Sequence, residues 1–142
     1  MAEVRQTRAF QLQKAKNLFG NARICLQDAQ APATIISAQR RFDAAYDCAL
    51  ACANLLLECQ QLEVSGLGHH KEAMSRMTAT LKFRGENASL ALAMVSARNS
   101  LRYDAAPFSD ESTVAQAFSW AQRVLDETET WLQTNSPLVL KP

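Results

Sequence analysis

Glycine and proline are scarce in this 142-residue chain, four of each, and they gather at a few breaks. The segments between them carry apolar residues at helical spacing and no convincing period-2 alternation, which argues against a sandwich or barrel. Charge of one sign is missing as well. Fifteen Lys and Arg against fourteen Asp and Glu leave a net charge of +1, so no global field draws the protein to nucleic acid or anionic lipid. Any nucleic-acid binding must come from a local patch. No stretch approaches the roughly 20 apolar residues of a bilayer span, and no apolar run follows a basic N-terminal segment. The expectation is a cytoplasmic protein with no membrane partner. Cys25, Cys48, Cys52 and Cys59 lie inside helical apolar patterns, without a C-x-x-C pair. They read as small buried hydrophobes in a reducing compartment, with no metal site and no cofactor expected.

With 48% hydrophobic and 20% charged residues, the chain is long and apolar enough for one domain with a real core. Five helices are expected. The first, about Glu3 to Asp28, aligns Leu12, Ala15, Phe19, Ala22 and Leu26 by +3/+4 steps, and it stops at Gln30-Ala31-Pro32. The second, about Ser37 to Leu62, places Phe42, Tyr46, Ala49, Ala53 and Leu56 on one stripe and ends at Val64-Ser65-Gly66-Leu67-Gly68. A shorter third, near His70 to Phe83, carries Ala73, Met74, Met77 and Leu81, and Gly85 closes it.

The fourth helix, about Asn87 to Tyr103, buries Leu90, Met94, Ala97 and Leu101. After Pro107, Ser109-Asp110-Glu111-Ser112 supplies an N-cap with acids in the first turn of a fifth helix that runs to about Leu132. The fold class is therefore all-α, an up-and-down bundle of four long helices and one shorter helix, because short loops make successive helices pack antiparallel. Residues 1–134 form the domain, and 135–142 read as an extended, mobile tail.

Helix five has two apolar stripes. Val114, Phe118, Ala121, Leu125 and Leu132 form the core seam, while Ala117, Trp120, Val124 and Trp131 widen the arc beyond what one seam in a small bundle requires. Trp120, Val124 and Trp131 are accordingly candidates for a homodimer interface.

The segment Arg98-Asn99-Ser100-Leu101-Arg102-Tyr103-Asp104 is unusual chemistry for an Ala-rich helix. Spacing of i,i+4 puts Arg98 and Arg102 on one flank and Asn99 and Tyr103 on the adjacent one. Guanidinium binds phosphate bidentately and an Asn amide both donates and accepts, so Arg98, Asn99, Arg102 and Tyr103 could hold a phosphate and a nucleotide edge.

Arg40-Arg41-Phe42-Asp43-Ala44-Ala45-Tyr46 opens helix two, a Gly-rich turn precedes His69-His70-Lys71-Glu72-Ala73, and Arg98-Asn99-x-x-x-Tyr103-Asp104 lies late in helix four. From about Ser37 to Leu132 this arrangement resembles the HEPN superfamily (higher eukaryotes and prokaryotes nucleotide-binding). The resemblance implies a dimeric helical domain in which an Arg and a His from two subunits meet in a cleft to cut RNA without a metal. It also implies a toxin-antitoxin or defence setting, with an antitoxin protein as partner. Arg98, Asn99 and Asp104 match the motif, while Tyr103 stands at the His position and Ala105 two residues further on, where the family often has Tyr.

That exchange matters chemically. Metal-independent cleavage needs a group that exchanges a proton near neutral pH; imidazole titrates near about 6.5 and a phenol near about 10. Three readings follow. One is an RNA- or nucleotide-phosphate-binding HEPN-like protein with weak or absent nuclease activity, with Arg98 gripping phosphate. Another is an active endoribonuclease in which Arg98 and Tyr103 are catalytic. The last is a helical adaptor in which Arg98 pairs with Asp104 or Glu111 for structure. His69 and His70 read as residues of a loop-helix junction, one capping or packing and one solvated. Arg40, Arg41, Arg76, Lys82 and Arg84 read as a solvated face, to be promoted only if they share a groove with Arg98.

Overall fold

A run of small residues sets the centre of the molecule. Helix α2, Ala38–Cys59, begins where Ser37, in extended backbone, accepts the Arg40 N–H at 3.3 Å. Along it Ala45, Ala49, Cys52 and Ala53 are fully buried and let neighbouring helices approach closely, while Phe42, Tyr46, Leu55 and Leu56 fill the space between them. The computed structural model describes residues 2–6, 9–103 and 110–142, with the backbone alone for 101–103.

Helix α1, Leu12–Ala29, lies along α2 and buries Ala15, Phe19, Ala22 and Leu26, the face that the +3/+4 spacing marks. Helix α5, Glu111–Asn135, packs against the same central helix. Asp110 caps it by accepting the Ser112 N–H at 2.9 Å and the Thr113 hydroxyl at 2.8 Å. Helix α3, His69–Thr80, buries Ala73, Met74 and Met77 against α2, and helix α4, Glu86–Tyr103, lies chiefly on α3. None of the helices described is long and apolar enough to cross a membrane.

The helical class stands, and five details differ from the sequence reading. Residues Ala2–Gln6 are not the start of α1 but strand β1, paired antiparallel with β2, Leu62–Gly66, in a register that sets Val4 opposite Val64. Val4 is the single large apolar residue of β1, too few for an amphipathic helix face, whereas Leu62 and Val64 alternate with Glu63 and Ser65 and rest on the core. The chain turns from α2 into β2 at Gln61, whose φ of 58° is left-handed, so the segment read as the end of helix two is a strand.

At the C-terminus the expected extended tail instead forms a 3₁₀ turn, Pro137–Leu140, that buries Val139 and packs on α1 and α5. Helix α4 is rotated from its expected stripe: Ala91, Met94 and Val95 are buried, and Leu90 and Ala97 are only partly covered. The side chain of Leu101 lies outside the described residues.

The fifth difference concerns the interface candidates. Trp120 and Val124 are 3% and 0% exposed within the single chain, and the Trp120 indole donates to the Asn87 carbonyl at 3.3 Å. The wide arc of α5 is consumed by the core, with the 3₁₀ turn seated on the helix as well, so these two residues offer no face to a partner. Trp131 is half-buried and packs on the core edge.

Candidate functional site

Arg98 and Asn99 are adjacent in sequence and serve different surfaces. The Arg98 side chain is 14% exposed; its Nη1 donates to a carboxylate oxygen of Asp47 on α2, and its guanidinium lies 4.4 Å from the centroid of the buried Tyr46 ring. Charge pairing and a cation–π contact hold this arginine to the neighbouring helix. Among the described residues its charged partner is Asp47 and not Glu111, and this pairing turns the guanidinium toward α2.

Glu111 has a different arginine. Arg41, 7% exposed, donates from Nη1 to Glu111 Oε2 at 2.8 Å, from Nη2 to the other carboxylate oxygen, and from Nε to the Ile36 carbonyl at 3.0 Å. This bidentate clamp ties the start of α5 to α2 and the loop before it. The Arg41 guanidinium holds the Glu111 carboxyl below the usual carboxylate range. Of the doublet Arg40-Arg41, the second residue is thus structural, not part of a solvated face.

Asn99 faces a groove of about 830 Å³ between the N-terminal turn of α3 and one side of α4. On the α4 wall stand Leu92, Val95, Ser96 and Asn99, the i, i+3, i+4, i+7 set of a single helix face. The opposite wall is the β2–α3 turn and the start of α3, with Leu67, His69, His70 and Lys71. Gly68 makes that wall possible: its φ of 79° turns the chain into the helix, and any residue with a Cβ would be strained there. The His69 Nδ1 lies 3.0 Å from the Gly66 carbonyl, a contact that calls for a proton on Nδ1 and leaves Nε2 as the acceptor in the neutral ring. The His69 and His70 rings meet edge to face, 4.1 Å between centroids.

The lining of this groove holds one ammonium, two imidazoles, an amide and a hydroxyl, with no carboxylate among the described residues. A second groove, about 680 Å³ between α1 and the start of α2, contrasts with it. Asp28, Asp43 and Asp47 line that one with Arg40 as the cation, so the two hollows favour ligands of opposite charge. Cys25 also lines the acidic groove, where burial first and the Asp47 carboxylate second push its thiol up to about 11. It is a poor nucleophile there.

Of the sequence candidates, Asn99 with His69 and His70 come together, and Arg98 does not join them. The side chains of Arg102 and Tyr103 lie outside the described residues, as do Asp104 and Ala105. Arg76, Lys82 and Arg84 line neither this groove nor the one beside α1. Sequence reasoning missed Asp47 as the partner of Arg98, and it missed the exposed leucines Leu67 and Leu92. The spacing of Leu92, Val95, Ser96 and Asn99 was the signal that could have found the second. No family model, curated protein or solved structure matches the chain.

Proposed function

We propose that this chain is a HEPN-like protein that binds single-stranded RNA or nucleotide phosphate in the groove between α3 and α4, with little or no ribonuclease activity. The observation that carries the proposal is the meeting of Asn99 with Lys71, His69 and His70 around one hollow of about 830 Å³ that no carboxylate lines among the described residues. That volume suits a nucleotide-sized ligand, and the Lys71 ammonium supplies its counter-charge. Arg98 supports the site indirectly, by fixing α4 to α2 through Asp47.

Rapid cleavage is not expected, because Tyr103 stands where the family places the imidazole of the motif and a phenol holds its proton at neutral pH. The competing nuclease reading gains from the same groove, since His69 and His70 bring imidazole to Asn99. Chelator-resistant cleavage of RNA that disappears in His69→Ala and His70→Ala would favour it. A homodimer with an antitoxin partner completes the proposed setting. Its seam would lie elsewhere than at Trp120 or Val124, which the core already buries.

Fluorescence anisotropy with a labelled RNA octamer tests the binding reading. Lys71 is exposed, so Lys71→Glu should fold normally and weaken binding by about tenfold or more, with a shallower salt dependence. Equal affinity of the wild type and Lys71→Glu would sink it.

A further inference from the structure

Strand β1 has a free side. It pairs with β2 along one edge and touches no other described element but α3, and no described loop backbone hydrogen-bonds to residues 2–6. Alternate residues of an antiparallel strand aim their N–H and C=O groups to opposite sides, so the outer edge of β1 carries a row of donors and acceptors with no partner among the described residues. The edge lies at the end of α2 where Cys59 leads into β2, opposite to the Arg41–Glu111 clamp. A ribbon of two five-residue strands is marginal by itself, and further strands stabilise it.

From this we infer that β1 is the seam of a homodimer, in which a second copy of this chain adds its own β1 antiparallel across a two-fold axis at Val4. The occupant follows from the sequence of the strand. About an axis at Val4, Glu3 of each copy stands opposite Arg5 of the other, Ala2 opposite Gln6, and Val4 opposite itself. Slipping the register by two residues sets Glu3 on Glu3 or Arg5 on Arg5, and slipping it by one reverses the faces, so charge selects the symmetric pairing. The pairing also completes a pattern that one chain leaves unfinished. On β2, Glu63 faces Arg5 with 3.4 Å between carboxylate and guanidinium, but Glu3 has Ser65 opposite. The second copy supplies Glu3 with a cation. On the other face the half-buried Val4, which sits beside Val64, meets its own counterpart, so a valine row crosses the enlarged sheet. This seam holds or fails independently of the nucleotide site.

Sedimentation of the full chain from about 10 to about 500 µM tests the seam, a range suited to so small an interface. The mass should rise from 15.7 kDa toward twice that value. Glu3→Arg, and separately Arg5→Glu, set like charges opposite each other across the axis and should each weaken association by about tenfold or more. An equimolar mixture of the two variants should form a heterodimer, because each brings the charges that the other lacks, and a misfolded variant could not do so. Val4→Cys, on the axis, should give a covalent dimer on mild oxidation, since directly opposed strand residues lie within disulfide reach, whereas Gln6→Cys should not. A monomer across the whole range, charge variants that dimerise as the wild type does, or oxidation that links Gln6→Cys as readily as Val4→Cys would overturn the inference.

Discussion

Arg98 on α4 reaches across to Asp47 on α2, so the most conspicuous basic residue of the Arg-Asn dipeptide holds two helices together instead of facing the groove that Asn99 lines. Helix α4 packs mainly on α3, which makes this long-range pair, with its stack on Tyr46, one of the few ties between α4 and the central helix.

Arg98→Ala should therefore act on stability before it acts on binding. Loss of the charge-assisted hydrogen bond and the ring contact should cost about 1–2 kcal/mol, discounted because Asp47 is 45% exposed and can be rehydrated. Denaturant unfolding measures this. A variant as stable as the wild type that has lost ligand affinity would return Arg98 to the binding surface.

The clamp at the start of α5 predicts an acid-sensitive fold. Arg41 holds Glu111 below the ordinary carboxylate range, and Asp110 is lowered first by the Thr113 hydroxyl and then by the N–H groups of Ser112 and Thr113. Both carboxyls have a lower pKa folded than unfolded. Their contribution is fully present above the ordinary carboxylate range and is lost as pH falls through it to the lowered values. The melting temperature should drop between pH about 6 and about 3, and Glu111→Gln should flatten part of that slope. Parallel pH profiles for the variant and wild type would contradict the assignment.

Close packing around α2 leaves no room at Ala49, which is fully buried. Ala49→Leu should destabilise by about 1–3 kcal/mol through overpacking, read as a shift in denaturant midpoint. An unchanged midpoint would mean that this helix face is loosely packed.

The thiols should be inert in the native protein. Burial raises Cys25 and Cys59, and the neighbouring Cys52 thiol together with burial raises Cys48. Labelling with a disulfide reagent at neutral pH should be slow when folded and reach four equivalents after unfolding, since all four cysteines are free. Fast reaction of one native thiol would mean that its side chain is open to solvent and not packed between the helices.

How far the sequence disclosed this molecule depended on how local the signal was. The stripes of α1 and α2 were legible because every member of each repeats at helical spacing, and Asp110 announced the start of α5 through its own side chain. Strand β1 was not legible, since Val4 alone cannot set a period and its pairing is with residues about sixty positions away. The alternation of Leu62 and Val64 could have been read as a strand and was hidden by the helix before it. Which of two adjacent side chains, Arg98 or Asn99, turns to the groove depends on where Asp47 lies in three dimensions. No spacing rule supplies that. The width of the α5 arc was visible, but what covers it, the other helices and the Pro137–Leu140 turn, is a tertiary fact.

The most direct test of the α3–α4 groove is a map of amide chemical-shift changes in the full chain titrated with ribose 5-phosphate and then with an RNA octamer. The largest changes should fall on Gly66 to Lys71 and on Leu92 to Asn99, the two walls of the hollow. Changes centred on Asp47, Arg98 and the acidic groove beside α1, or no changes at saturating ligand, would contradict a ligand site between α3 and α4.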